Sequence, residues 1–153
     1  MMDANDKPAM TILMVEDNAG DVLLTREALA DCAPNARLLE ARDGQEALDV
    51  LRQSPRTPTL PRPDLILLDL NMPRMNGLDC LRQLKTDADL KCIPVVVLTT
   101  SAADEDVYRS YELQANSFIT KPVDFSRYRA VLQVVIDYWF TVASRPGGQR
   151  QAA

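Results

Sequence analysis

The chain has 153 residues, 46% of them apolar and 25% charged, enough for one domain with an ordinary core and no room for a second. Its formal charge is −5 and its pI about 4.7, which argues against a nucleic-acid binder, because such proteins gather Lys and Arg on one face. Histidine is absent, so Ser-His-Asp triads, Cys-His pairs and His-ligated zinc are excluded and oxygen ligands and carboxylate chemistry remain.

Residues 1–10 carry no apolar run of the kind a secretory signal needs, and no later run reaches membrane-spanning length; a cytoplasmic protein is expected. The first strand is predicted at "TILMVE" (11–16), followed by a helix over "GDVLLTREALADC" (20–32) that Asp17 or Asn18 can cap. Then come a strand at "ARLLEA" (36–41), a helix at "GQEALDVLRQS" (44–54) and the loop "SPRTPTLPRP" (54–63), whose four prolines exclude a helix or central strand. That loop is expected on the surface, with Arg56 and Arg62 solvated. A strand at "DLILLD" (64–69), a helix at "GLDCLRQLKTD" (77–87), a strand at "PVVVLT" (94–99), a helix at "DEDVYRSYELQ" (104–114) and a strand at "SFIT" (117–120) follow. A last helix runs from Phe125 to about Val142, and the tail 144–153, like residues 1–10, is expected to be disordered. Cys32, Cys80 and Cys92 are too few and too widely spaced for a disulfide framework and are expected to be reduced, buried thiols.

Five strands alternating with five helices predict an α/β fold, a parallel sheet covered on both faces, over residues 11–143. Ligands of such sheets bind beyond the carboxyl ends of the strands. The residues there are Glu16 and Asp17 after the first strand, Asp69 after the third, Thr99 after the fourth and Lys121-Pro122 after the fifth. One acid at a strand end commonly caps the next helix, but three together repel one another unless a cation neutralises them, and hard oxygens in this number suit Mg²⁺. A lysine and a hydroxyl at the same rim would complement a transferring phosphoryl group, leaving an aspartate between them as nucleophile.

The motifs "VEDN", "DLNMPRMNG", "VVVLTTSA" and "ITKP" together resemble the receiver domain of bacterial two-component response regulators, over about residues 11 to 142. The resemblance implies a (βα)5 flavodoxin-like fold with strand order 2-1-3-4-5. It implies Asp69 as phosphoacceptor, Asp17 as a direct Mg²⁺ ligand, Glu16 as one through water, and Asn71 as a ligand through its backbone carbonyl. Thr99 would be the switch hydroxyl, Phe118 the aromatic that follows it, and Lys121 the cation paired with the phosphoryl group, followed by a cis bond to Pro122. Ser101 and Asn71 would tune the phosphate's lifetime. Such a protein is a signalling module, not a classical enzyme, and its phosphodonor is a histidine kinase. A haloacid-dehalogenase-type phosphatase would carry a second acid where Asn71 stands, and a degenerate receiver would not need this set of residues.

On the last helix, at about 100° per residue, Tyr128, Val131, Leu132, Val135, Trp139 and Val142 form a stripe for the sheet to bury. Val134 and Tyr138 flank it on one side, Ile136 and Phe140 on the other. Apolar coverage this wide exceeds one sheet face, so Val134, Ile136, Tyr138, Trp139 and Phe140 are candidates for a homodimer contact. "DYWFTVAS", "LTTSAADEDV" and "SYELQAN" are similar to single-domain regulators paired with phytochrome-type kinases.

Overall fold

The computed structural model describes residues 10–53 and 62–146. Five strands, β1 (Thr11–Val15), β2 (Arg37–Ala41), β3 (Leu65–Leu68), β4 (Val95–Thr99) and β5 (Ser117–Thr120), form one parallel sheet in the order β2-β1-β3-β4-β5. Between and after them run α1 (Ala19–Cys32), α2 (Gly44–Leu51), α3 (Gly77–Thr86), α4 (Asp104–Glu112) and α5 (Phe125–Asp137), and α5 continues as a π-helical turn over Tyr138–Val142. Among the described residues no helix is long and apolar enough to cross a membrane.

β1, β3 and β4 are buried at every position, which is why they read as unbroken apolar runs; the edge strands β2 and β5 are only partly covered. Alternate side chains of the inner strands divide between two cores. Leu13, Val15, Ile66, Leu68, Val95 and Val97 meet α2 and α3, while Ile12, Met14, Leu65, Leu67, Val96 and Leu98 meet α1 and α5. The chain leaves β1 toward β2 on one side and then returns to β3 on the other, so the crevice where strand order reverses lies between the ends of β1 and β3.

Helix starts follow local chemistry. Asn18, Asp43, Asn76 and Asp124 cap α1, α2, α3 and α5 by accepting from the third backbone N–H beyond them. α4 has no side-chain cap, and Asp104, Glu105 and Asp106 complement its N-terminal dipole instead.

Three expectations are corrected. Cys80 is buried, and burial pushes its thiol up to about 12, but Cys32 and Cys92 are exposed; all three are free. Ile136, expected on the outer flank of the last helix, is fully buried. α5 packs on α1 as well as on the sheet, and Arg129 on that flank pairs with Glu27 and Asp31 of α1, so the buried arc rotates toward Ile136. Val142, expected in the buried stripe, is 68% exposed. The wider π turn, in which Ala143 N–H donates to the Tyr138 carbonyl at 2.8 Å, breaks the helical phase before Val142 is reached.

The proline-rich loop lies outside the described residues except for Arg62 and Pro63, where the exposed Arg62 guanidinium donates to the Asp89 carbonyl. Of the two ends expected to be disordered, residues 1–9 and 147–153 also lie outside them. Met10 is buried, and its carbonyl accepts from Arg37 N–H at 2.6 Å.

Candidate functional site

The parallel register brings four strand ends to one rim. Asp69 N–H donates to the Val15 carbonyl at 3.0 Å, which sets Glu16 and Asp69 side by side, and Lys121 N–H donates to the Thr99 carbonyl at 2.7 Å. Glu16, Asp69, Thr99 and Lys121 are all buried, while Asp17 is exposed. One carboxylate oxygen from each of Glu16, Asp17 and Asp69 lies within 4.8 Å of the other two. The sequence-predicted acids therefore do converge.

Lys121 is the cation that holds them. Its ammonium donates to Glu16, donates to Asp21 at 2.8 Å and lies 3.6 Å from Asp69. Burial works against this ammonium, but hydrogen bonds to Asp21 and Glu16 and the charges of Glu16 and Asp69 outweigh it and hold its pKa above the ordinary lysine value. Glu16 shows the opposite balance. Burial, helped by the charge of Asp69, raises its pKa to about 7 against the lowering effect of Lys121. Three carboxylates, Glu16, Asp21 and Asp69, thus share one ammonium, with Asp17 close by, and the surplus of hard, negatively charged oxygen is what a divalent cation with oxygen ligands requires.

The loop after β3 is clamped from several sides. Asn71 N–H donates to Asp69 Oδ1 at 3.3 Å, and the Asn71 side-chain amide donates to Thr99 Oγ1 at 3.4 Å. Ser101 N–H also donates to Thr99 Oγ1, while the Ser101 hydroxyl turns to Asp106 of α4. Arg74 holds a left-handed backbone, φ 61°, and its Nε donates to Asp43 Oδ2 at 2.6 Å. Gly77 closes the loop: a Cβ there would sit 2.3 Å from the Asp69 carbonyl oxygen and 2.5 Å from Leu70 Cα, so only glycine lets α3 begin this close to the acid.

Phe118 is partly buried against the core beneath α2 and α3, and its N–H donates to the Tyr111 hydroxyl at 3.1 Å. Of the candidate contact residues on the last helix, Val134 and Tyr138 are exposed, whereas Trp139 and Phe140 are partly buried against the α1–α5 core. Asp21, Asp43, Arg74 and Gly77 escape a reading by strand ends. Asp21 has an ordinary explanation as a first-turn acid, and Asp43 one as a cap; the signal for Gly77 is its place at the end of the loop that starts at Asp69.

A receiver-domain profile, described as the response regulator receiver domain, matches residues 12–133. The response regulator Rcp1 of Synechocystis sp. is 39% identical over 145 residues, covering 95% of this chain and 99% of its own. The crystal structure of the phosphorylated cyanobacterial phytochrome response regulator RcpA superposes with a TM-score of 0.86 at 40% identity, over 92% of this chain and all of that one. The Mn²⁺-bound form of Rcp1 does so with a TM-score of 0.83 at 39% identity, over 90% of this chain and 99% of that one. With the fold, the strand order and the acid rim all in agreement, the chain belongs to the response regulator receiver-domain family of two-component signalling.

Proposed function

We propose that this protein receives a phosphoryl group on Asp69 from a phosphohistidine of a partner kinase and passes the signal on through a changed surface. The observation that carries this is the buried Lys121 beside the cluster of Glu16, Asp17 and Asp69. A carboxylate oxygen of Asp69 attacks phosphorus, the P–N bond breaks, and the electron pair leaves on the imidazole of the donor, which takes up a proton. Asp17 and Asp69, the Asn71 carbonyl and, through water, Glu16 are the groups that would hold Mg²⁺, whose charge would offset that of the phosphoryl oxygens. Lys121 orients the same oxygens from the other side.

The added charge, roughly −1.5 to −2, draws the Thr99 hydroxyl and the Lys121 ammonium toward Asp69. Thr99 then exchanges its contacts with Asn71 and Ser101, the loop before α4 shifts, and the α4–β5 surface with Phe118 and Tyr111 repacks. The likeness to Rcp1 and to RcpA supports a phytochrome-type kinase as donor, and such phosphotransfer belongs in the cytoplasm.

The output surface is a homodimer contact on the last helix. Val134 at 68%, Tyr138 at 49% and Val142 at 68% exposure present more apolar area than an isolated helix face needs. Ile136 drops out of this surface because it is buried.

Intact-protein mass after incubation with Mg²⁺ and acetyl phosphate tests the proposal, with light scattering on the same samples. One phosphoryl group on the wild type and none on Asp69→Asn is expected. Equal uptake by both would remove Asp69 from the role, and an unchanged monomer would remove the dimer.

A further inference from the structure

The cation of the rim is not bonded to the acid it would serve. The Lys121 ammonium donates to Glu16 and, at 2.8 Å, to Asp21, but it lies 3.6 Å from Asp69, beyond a normal hydrogen bond. Glu16 belongs to the acid cluster at the strand ends and also accepts from Asn18 N–H at 3.1 Å. Asp21 stands outside that cluster, and an acid anywhere in the first turn of α1 would serve the helix dipole equally well. Its contact with an ammonium 100 positions away is therefore a separate feature. The backbone around Asp21 is fixed in a way that keeps this contact. Asp21 N–H donates to the capping Asn18 Oδ1 at 3.1 Å, and the Asp21 carbonyl accepts at 2.9 Å from the hydroxyl of the fully buried Thr25.

The two acids that hold Lys121 differ in what its departure costs. The Glu16 side chain is 2% exposed and that of Asp21 20%, so water can replace the ammonium at Asp21 far more readily than at Glu16. When a phosphoryl group on Asp69 draws the ammonium across, the contact given up is the one with Asp21. We propose that Asp21 is a positioning residue that holds the Lys121 ammonium back from Asp69 in the resting protein, and so acts as a brake on phosphoryl uptake. This rests on the reading of Asp69 as phosphoacceptor. An ion pair made in the resting state and loosened in the phosphorylated one favours the first, because only the difference between the two states shifts their equilibrium. One side of the pair reaches solvent, so the brake is worth a few-fold in affinity rather than many powers of ten.

The test titrates wild type, Asp21→Asn and Asp21→Ala with beryllofluoride, an unreactive mimic of the phosphoryl group, in saturating Mg²⁺ by calorimetry, and follows phosphoryl uptake from acetyl phosphate by intact mass. Both variants are expected to bind beryllofluoride on the order of fivefold more tightly than wild type, and to take up phosphoryl faster. Replacing an acid of purely structural value would weaken binding or leave it unchanged. The gain should persist in about 1 M salt, because a direct and largely buried contact is screened far less than a distant charge. Affinity equal to or weaker than that of wild type in either variant overturns the proposal. A gain that vanishes in high salt overturns it as well, since it marks a long-range effect of the lost charge. Failure of the wild type itself to bind beryllofluoride overturns the phosphoacceptor reading, and this inference with it.

Discussion

Two buried carboxylates of this molecule, Asp43 and Glu16, meet opposite fates. Asp43 accepts from Glu46 N–H at 2.9 Å and from Arg74 Nε at 2.6 Å. The Glu46 hydrogen bond first, then Arg74, hold its pKa below the usual aspartate value in spite of burial. Glu16 accepts from Asn18 and Lys121, yet shares its rim with Asp17, Asp21 and Asp69 and is pushed up to about 7. A buried acid whose partners match its charge serves the fold. A group of acids with one cation among them is arranged for something that arrives, and under the proposed function a metal ion and a phosphoryl group would complete it.

The largest test of that contrast is Lys121→Met. Removing the Lys121 ammonium leaves two buried carboxylates, Glu16 and Asp69, without their cation, and stability in Mg²⁺-free buffer should fall by about 3 kcal/mol. Adding Mg²⁺ should restore more stability to this variant than it adds to wild type, as read by thermal unfolding. Equal gains would mean that metal and lysine do not share one pool of negative charge.

Gly77→Ala comes next. The new Cβ meets backbone rather than a yielding side chain, so a loss of about 2–3 kcal/mol is expected, together with a slower uptake of phosphoryl at the displaced Asp69. Urea unfolding and the rate of mass gain measure the two effects. Unchanged values for both would show that the loop tolerates the shift.

At Asp43 the change is smaller. Asp43→Asn keeps a capping oxygen and removes only the charge facing Arg74, so about 1 kcal/mol should be lost at neutral pH, with Mg²⁺ affinity unaltered. The folded pKa is lowered from 3.8, so the charge's contribution is complete above that value and disappears as the pH falls through the lower folded one. Stability curves of wild type and Asp43→Asn should therefore converge below pH 3.8. Val134→Asp is the mildest change: monomer stability should stay within about 0.5 kcal/mol of wild type, while light scattering should show loss of the proposed dimer.

Much of this was legible in the sequence because the physics was local. Buried strands between helices leave continuous apolar runs, and their carboxyl ends can be read directly, so Glu16, Asp69, Thr99 and Lys121 stand out together. Asp21 did not, because an acid in the first turn of a helix needs no further explanation than the helix dipole. The pairing of Asp43 with Arg74 spans 31 positions, and neither residue signals the other. Ile136 and Val142 were misassigned for a different reason. Helical periodicity locates an apolar stripe, but it contains neither the flank on which α1 will pack nor the π turn that changes the phase.

The most direct measurement is to locate the phosphoryl group among the four acids of the rim, by borohydride reduction of the phosphorylated protein followed by peptide mass spectrometry. Reduction converts an acyl phosphate to a primary alcohol and leaves free carboxylates untouched. The account predicts the converted residue at position 69 alone, and only when Mg²⁺ is present; conversion at Asp17 or Asp21, or at Asp69 without Mg²⁺, would contradict it.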